Sequence, residues 1–331
     1  MPIEQIARGY KTTCLLDFEQ SFGEAPTTPA GVILPINTFG LNVSRNKNTA
    51  ETLTGRRDPV EPFDGNVEVT GDVVVPVDTR AFGYWLKLAL GAPTTTATDV
   101  SDPESGTTTS GAPYQHVFKV TDTTSSGICQ VQYGTNPMTY GLFNGLKVAS
   151  MQITTGGDEE LTATLSLAGR SCDYSENNYQ ANASLVTLKR LNNFQASLKK
   201  NGVDLATVTQ FDFTIDNGLD TDIRTIGGQG MVYDIPEGIM SVTGTINSLF
   251  TGLDMLNAAK ESRELSFELT WKINDSNKLT MLFPEVQIQY QGPTVEGPTG
   301  VMCEFPFVAY FADDTNDSVV VATLVNDIAA Y

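Results

Sequence analysis

The chain has 331 residues, more than the ~250–300 at which a single core stops growing, so two domains are the first expectation. Hydrophobic residues make up 40 % and charged ones 18 %, which supplies a core and excludes a disordered chain. Acidic residues outnumber basic ones 39 to 20 for a formal net charge of −19, with the excess on both sides of residue 170; stable nucleic-acid binding through a basic groove is excluded.

In chain order, the start MPIEQIARGYKTTCLLDFEQ lacks the basic-then-apolar layout of a signal peptide, and no apolar run approaches 18 residues. A protein made and kept in a cytoplasm, with no membrane partner, is expected. TFGLNV (38–43) alternates like a strand and leads into the loop 44–65, where Arg45, Lys47, Arg56 and Arg57 concentrate in a chain otherwise short of positive charge. This loop is read either as a solvated basic segment or as a dock for an acidic neighbour of the same kind. NVEVTGDV continues as a strand with Val67, Val69 and Val73 on one face and Glu68, Thr70 and Asp72 on the other. TRAFGYWLKLALG (79–91) has Phe82, Trp85, Leu86 and Leu90 near helical spacing and Gly91 as a stop signal, so a short helix is expected.

Residues 92–115 are small, polar and low in complexity, and read as a mobile surface loop. In LTATLSLAG (161–169), Leu161, Ala163, Leu165 and Leu167 point inward; Gly156-Gly157-Asp158 is the turn before it. The strands of the first half run out at the polar stretch 170–184, where a linker is expected. Asn201-Gly202 favours a tight hairpin because both residues tolerate positive φ. LDMLNAAKES (253–262) is the second expected helix, and ELSFELTWKI (264–273) turns Leu265, Phe267, Leu269, Trp271 and Ile273 inward. The class is mainly antiparallel β with one short helix per half.

The two halves resemble each other. An offset of 173 pairs Gly65 with Gly238, Val67 with Met240, Val69 with Val242, Thr70 with Thr243, Gly71 with Gly244 and Val73 with Ile246, and an offset of 172 pairs Phe39 with Phe211. Strand, loop, strand and helix recur in the same order. A period this long means two copies of a domain rather than a solenoid. In the second copy Ser241, Thr243 and Thr245 take the places of Glu68, Thr70 and Asp72.

Little suggests catalysis. A histidine-based triad would need His116, which the pattern reads as a half-exposed strand residue. Cys14, Cys129, Cys172 and Cys303 have no CxxC spacing and are expected reduced and mostly buried, without a zinc or dithiol redox site. ADDTNDS (312–318) lacks the frame of a calcium loop and reads as a hairpin tip, and GGQG (227–230) has no following Lys for a phosphate loop. No carboxylate pair is singled out for hydrolysis. No enzyme, cofactor or metal is expected.

ARGYKTTCLLDFEQSFGEAP, LPINTFGLNVSRNKNTAETLTGRRDPVEPFDGNVEVTGDVVVPVD and AFGYWLKLALGAP resemble the amino-terminal half of tail tube proteins of long, non-contractile-tailed bacteriophages, and FTIDNGL with GIMSVTG extends the likeness more weakly into the second half. The resemblance implies a non-enzymatic virion protein of the phage tail, assembled in the host cytoplasm. It implies two tandem β-sandwich or barrel-like tail-tube domains, each with one flanking helix: residues 1–175 with an N-terminal arm, a linker at 176–190, and 191–331. Rings closing through neighbouring subunits would stack into a tube that conducts DNA. Single-domain members of the family make six-subunit rings, so two fused copies imply a trimeric ring. The implied further partners are tape-measure, tail-terminator and distal tail proteins, with transient passage of DNA. By the same analogy the loops 44–65 and 216–238, with Arg45, Lys47, Arg56 and Arg57, would contact the next ring. A negative lumen repels phosphate, and Glu68, Thr70, Asp72, Ser241, Thr243 and Thr245 are the candidate lumen-facing residues. The alternative is a β-sandwich host-receptor or glycan-binding tail module, which calls for clustered exposed aromatics; Tyr84, Trp85 and Trp271 sit instead in apolar patterns.

Overall fold

The structure is a computed structural model that describes residues 6–97, 100–101, 108–109, 113–295, 297–298, 300–311 and 315–331. The first copy begins with a 3-10 turn, Gly9–Lys11, followed by β1 (Thr13–Phe18), β2 (Val32–Leu34), β3 (Thr38–Phe39), β4 (Asn42–Asn48) and β5 (Phe63–Pro76). Helix α1 (Phe82–Leu90) separates these from β6 (Thr94–Ala97), β7 (Val100–Ser101), β8 (Thr108–Thr109), β9 (Tyr114–Lys119), β10 (Gly127–Gln132), β11 (Tyr140–Thr155), β12 (Thr162–Gly169) and β13 (Ser171–Ser175). The second copy opens with another 3-10 turn, Asn193–Gln195, then β14 (Ala196–Lys200), β15 (Val203–Asp204), β16 (Val208–Asp216), β17 (Ser241–Leu249), α2 (Asp254–Lys260), β18 (Leu265–Asn274), β19 (Asn277–Ile288), β20 (Met302–Tyr310) and β21 (Val321–Asn326).

Strand pairing repeats. In the first copy the antiparallel order runs β1, β10, β11, β12, β5, then β3 and β4; in the second it runs β14, β18, β19, β20, β17, β16. Even the irregularities correspond, with a register shift between Gly127 and Cys129 against β11 and between Leu265 and Phe267 against β19. The long strand β11 belongs to two sheets, one part lying between β10 and β13 and the rest between β12 and β16, while β19 pairs with β18 along one edge and changes partner from β21 to β20 along the other. Period-2 patterning drives this arrangement, because Val69, Val73, Leu165, Leu167, Met151, Phe211, Phe213, Ile246, Phe283 and Phe307 all turn to one interior. Each such burial contributes about 1.5–3 kcal/mol.

The copies are joined by backbone. β11 pairs with β16 over Ser150–Thr155 and Asp216–Phe211, and β21 lies between β19 and β9. One apolar core runs through both copies, with Trp85 and Trp271 at 1 % and 0 % exposure.

Several expectations are corrected. Thr94–Ala97 is a strand paired with Tyr114–Val117 rather than part of a loop; the remaining loop positions 98–99, 102–107 and 110–112 lie outside the described residues. His116 is fully buried, its Nδ1 2.8 Å from Thr95 Oγ and its Nε2 2.9 Å from the Ile328 carbonyl, because β21 and the chain's last residues cover β9. Burial pushes its pKa down. Ile273 is 37 % exposed, since the register shift after Lys272 carries it out of the core. Residues 312–314 of the acidic stretch lie outside the described residues, and Ser318 at its end is buried. The Asn201-Gly202 turn has φ of 50° and 76°, as its chemistry predicts.

Candidate functional site

The β11–β16 joint makes one continuous sheet of β4, β5, β12, β11, β16, β17 and β20. Directly opposed residues in antiparallel pairs share a face, so the register determines what that face carries. Asn42 opposes Thr70 and Ser44 opposes Glu68; Asp72 opposes Ser166; Ser166 opposes Ser150, and Thr164 opposes Gln152. The row continues across the joint with Ser150–Asp216, Gln152–Thr214 and Thr154–Asp212, then with Asp216–Ser241, Thr214–Thr243 and Asp212–Thr245, and on β20 with Asn247–Glu304. Glu68, Thr70, Asp72, Ser241, Thr243 and Thr245 therefore lie on the same face of one sheet, opposite the core.

The face is acidic and hydroxyl-rich. Ser166 Oγ donates to Asp72 Oδ1 at 2.5 Å. Partial burial and the negative charge of Glu304 push the Asp212 carboxyl above its usual pKa, with the Thr245 N–H opposing the shift. Between Ser150 and Thr154 on β11, and along the paired parts of β16 and β17, this face presents no Lys or Arg. At one end it closes over: Ala168 packs with Val232 and Ile235 of the 218–240 connection. Lys147 Nζ there reaches Glu237 Oε1 at 2.9 Å, with side chains only 9 % and 12 % exposed. Burial pushes the Glu237 carboxyl up, but hydrogen bonds from Thr124 and Lys147 outweigh it and hold the group below its usual pKa.

The 218–240 connection docks on the first copy of its own chain. Val67 N–H donates to Gly230 O at 2.9 Å, and buried Asn217 donates through Nδ2 to Ala89 O and Val148 O at 3.0 and 2.8 Å. Arg45 is part of the same contact, donating to Gly65 O at 3.0 Å and Gln229 O at 3.1 Å. Lys47 pairs with Asp64, lowering that carboxyl's pKa, and Arg56 pairs with Asp58 at 2.6 Å. Arg57 is exposed. Of the four loop cations, Arg56 and Arg57 sit on the projecting segment 49–62, whose Leu53 is 99 % exposed, while Arg45 and Lys47 brace the base of the hairpin.

Sequence reasoning did not single out Asp212, Asp216 or Glu304 for this face, although the alternation in QFDFTID places Asp212 and Asp216 opposite Phe211, Phe213 and Ile215. The Lys147–Glu237 pair has no sequence signal, since its members are 90 residues apart. Open strand edges complete the site: β3 and β4 pair only with β5, leaving their outer edge without a strand among the described residues. Unpaired edges of this kind invite another chain.

No curated protein matches this chain. A family model described as phage tail tube protein matches residues 9–309, which spans both copies and nearly all of the paired strands. The chain belongs to the phage tail tube protein family, a structural component of the virion tail.

Proposed function

We propose that three copies of this chain close into a ring of six β units, that rings stack into the tail tube, and that the acidic, hydroxyl-rich sheet face lines the lumen through which DNA passes. The observation that carries this reading is the continuity of that face: Glu68, Thr70 and Asp72 of the first copy share one sheet with Ser241, Thr243 and Thr245 of the second, joined through β11 and β16. A wall of carboxylates and hydroxyls repels phosphate and offers no cationic site at which a duplex would arrest. Closure of the ring also removes the open edge of β3 and β4.

On this reading residues 1–175 and 191–331 are the two ring units and 176–190 the connection between them. Arg56 and Arg57, on the projecting segment 49–62, contact the acidic surface of the next ring, with Arg45 and Lys47 holding the base of that segment in position. Assembly takes place in the host cytoplasm, with the tape-measure, tail-terminator and distal tail proteins as further partners.

The test is charge reversal on the face. A variant carrying Asp72→Lys, Asp212→Lys and Glu304→Lys is expected to assemble tubes that retain duplex DNA at low salt and release it as salt rises, and phage built with it are expected to eject DNA more slowly. Tubes of that variant that bind no DNA would put the three residues outside the lumen.

A further inference from the structure

The duplication makes the chain's internal joint a template for contacts between subunits. Ahead of the second copy, Lys189–Leu191 runs along Val77–Thr79 of the first: Thr79 N–H donates to Lys189 O at 3.0 Å, Leu191 N–H donates to Val77 O at 3.1 Å, and Asp78 opposes Arg190 across an antiparallel bridge. The cover is complete, since Val77, Asp78 and Thr79 are each 0 % exposed and Leu191 is 2 % exposed.

The equivalent place in the second copy follows from the 173-residue offset of β5 and β17. It is fixed by one bond present in both copies: Val77 N–H donates to Leu161 O at 3.0 Å, and Phe250 N–H donates to Val301 O at 2.9 Å. Phe250–Gly252 thus stands where Val77–Thr79 stands, but no segment among the described residues lies along it as Lys189–Leu191 lies along Val77–Thr79. Leu249, Phe250 and Leu253 are 44 %, 37 % and 61 % exposed, and a Cβ built on Gly252 would meet no atom within 4 Å.

The equivalent of the covering segment lies at the other end of the chain. Cys14 opposes Val131 on β10 as Leu198 opposes Leu269 on β18, and the 3-10 turns Gly9–Lys11 and Asn193–Gln195 precede their strands at the same offset. Arg190 and Leu191 therefore correspond to Ile6 and Ala7. Tyr10 and Phe194 match in character, at 77 % and 81 % exposure, whereas Ile6 is 86 % exposed where Arg190 is bridged to Asp78.

We propose that Ile6–Arg8 of one subunit lies along Leu249–Thr251 of its neighbour, in the antiparallel register that the linker holds within the chain, with Ile6 opposite Thr251 and Ala7 opposite Phe250. The partner is a second copy of this chain. Contact of Ile6 with Leu249, Phe250 and Leu253 removes apolar surface from water on both subunits, and the backbone gains a bridge at each joint. The proposal rests on the ring reading above, because only a closed ring gives every arm a neighbouring second copy.

Ile6→Cys combined with Thr251→Cys in the full-length chain tests it. The template bridge is of the type whose flanking residues exchange the hydrogen bonds, which brings opposed Cα atoms to about 4.5 Å, within disulfide range. Oxidised rings or tubes are expected to run on non-reducing gels as covalent dimers and trimers, reverting to monomer on reduction, while either single variant stays monomeric. Rings or tubes visible by electron microscopy without covalent oligomers would overturn the arm contact and leave the ring reading standing. A cross-linked species at monomer mass would also overturn it, by placing the arm on its own chain. A protein that forms neither rings nor tubes would defeat the ring reading and this contact with it.

Discussion

Gly71 and Gly244 show why the two copies keep the same short motif. A Cβ on Gly71, which has φ of 154°, would come within 2.3 Å of Gly40 O; one on Gly244 would come within 2.1 Å of Asp212 O and 2.6 Å of the Phe307 ring. The shared glycine preserves close contact between neighbouring strands rather than a ligand site. Gly244→Ala is expected to cost about 1–3 kcal/mol, the range for overpacking, read as a lowered thermal midpoint; an unchanged midpoint would mean the strands separate freely. At Lys147–Glu237, removal of one partner leaves an uncompensated buried charge, so Lys147→Met alone is expected to destabilise by about 3–5 kcal/mol, and Lys147→Met with Glu237→Leu by much less. Because the Glu237 carboxyl is held below its usual pKa, its contribution is fully present above about pH 4.3 and is lost as pH falls through the lowered value. A pH series of denaturant midpoints should show that acid-side loss in the native chain and a shallower one in the double variant; equal slopes would remove the pair from the account.

The elements were legible in the sequence where side chains alternate strongly. Val69 and Val73 on β5, Leu165 and Leu167 on β12, and Leu269 and Trp271 on β18 are buried as their period-2 pattern requires, and both helices form where apolar spacing and Gly91 place them. Thr94–Ala97 was illegible because all four residues are small and exposed, and the strand is specified by its partner β9 rather than by its own pattern. The position of His116 depended on β21, which arrives from over 200 residues away. The sheet face was half legible: local alternation separates Glu68 and Asp72 from the core, but only the β11–β16 pairing brings them onto one surface with Asp212. Asn217 holds that joint through two carbonyls and the N–H bond to Ala149 O at 2.8 Å. Asn217→Leu is expected to cost about 1–3 kcal/mol, the penalty for buried acceptors left unpaired. Faster amide exchange of Thr154 and Asp212 in hydrogen-exchange measurements would locate the loss at the joint, whereas loosening spread evenly over the molecule would count against this role.

At the scale of the whole molecule, the internal duplication, the continuous acidic face and the open β3 and β4 edge have a common explanation in a closed ring. In the proposed ring, two copies fused in one chain would fix half of the lateral joints covalently and leave three contacts to form between separate subunits. The high negative charge is consistent with this arrangement when the acidic, hydroxyl-rich face turns inward and the loop cations Arg56 and Arg57 turn toward the next ring. Cryo-electron microscopy of tubes assembled from the full-length chain tests this most directly. The account predicts three subunits per ring, six β units around the lumen, and Glu68, Asp72, Asp212 and Glu304 on the inner wall. Rings of six subunits, or a map with those carboxylates on the outer wall, would contradict it.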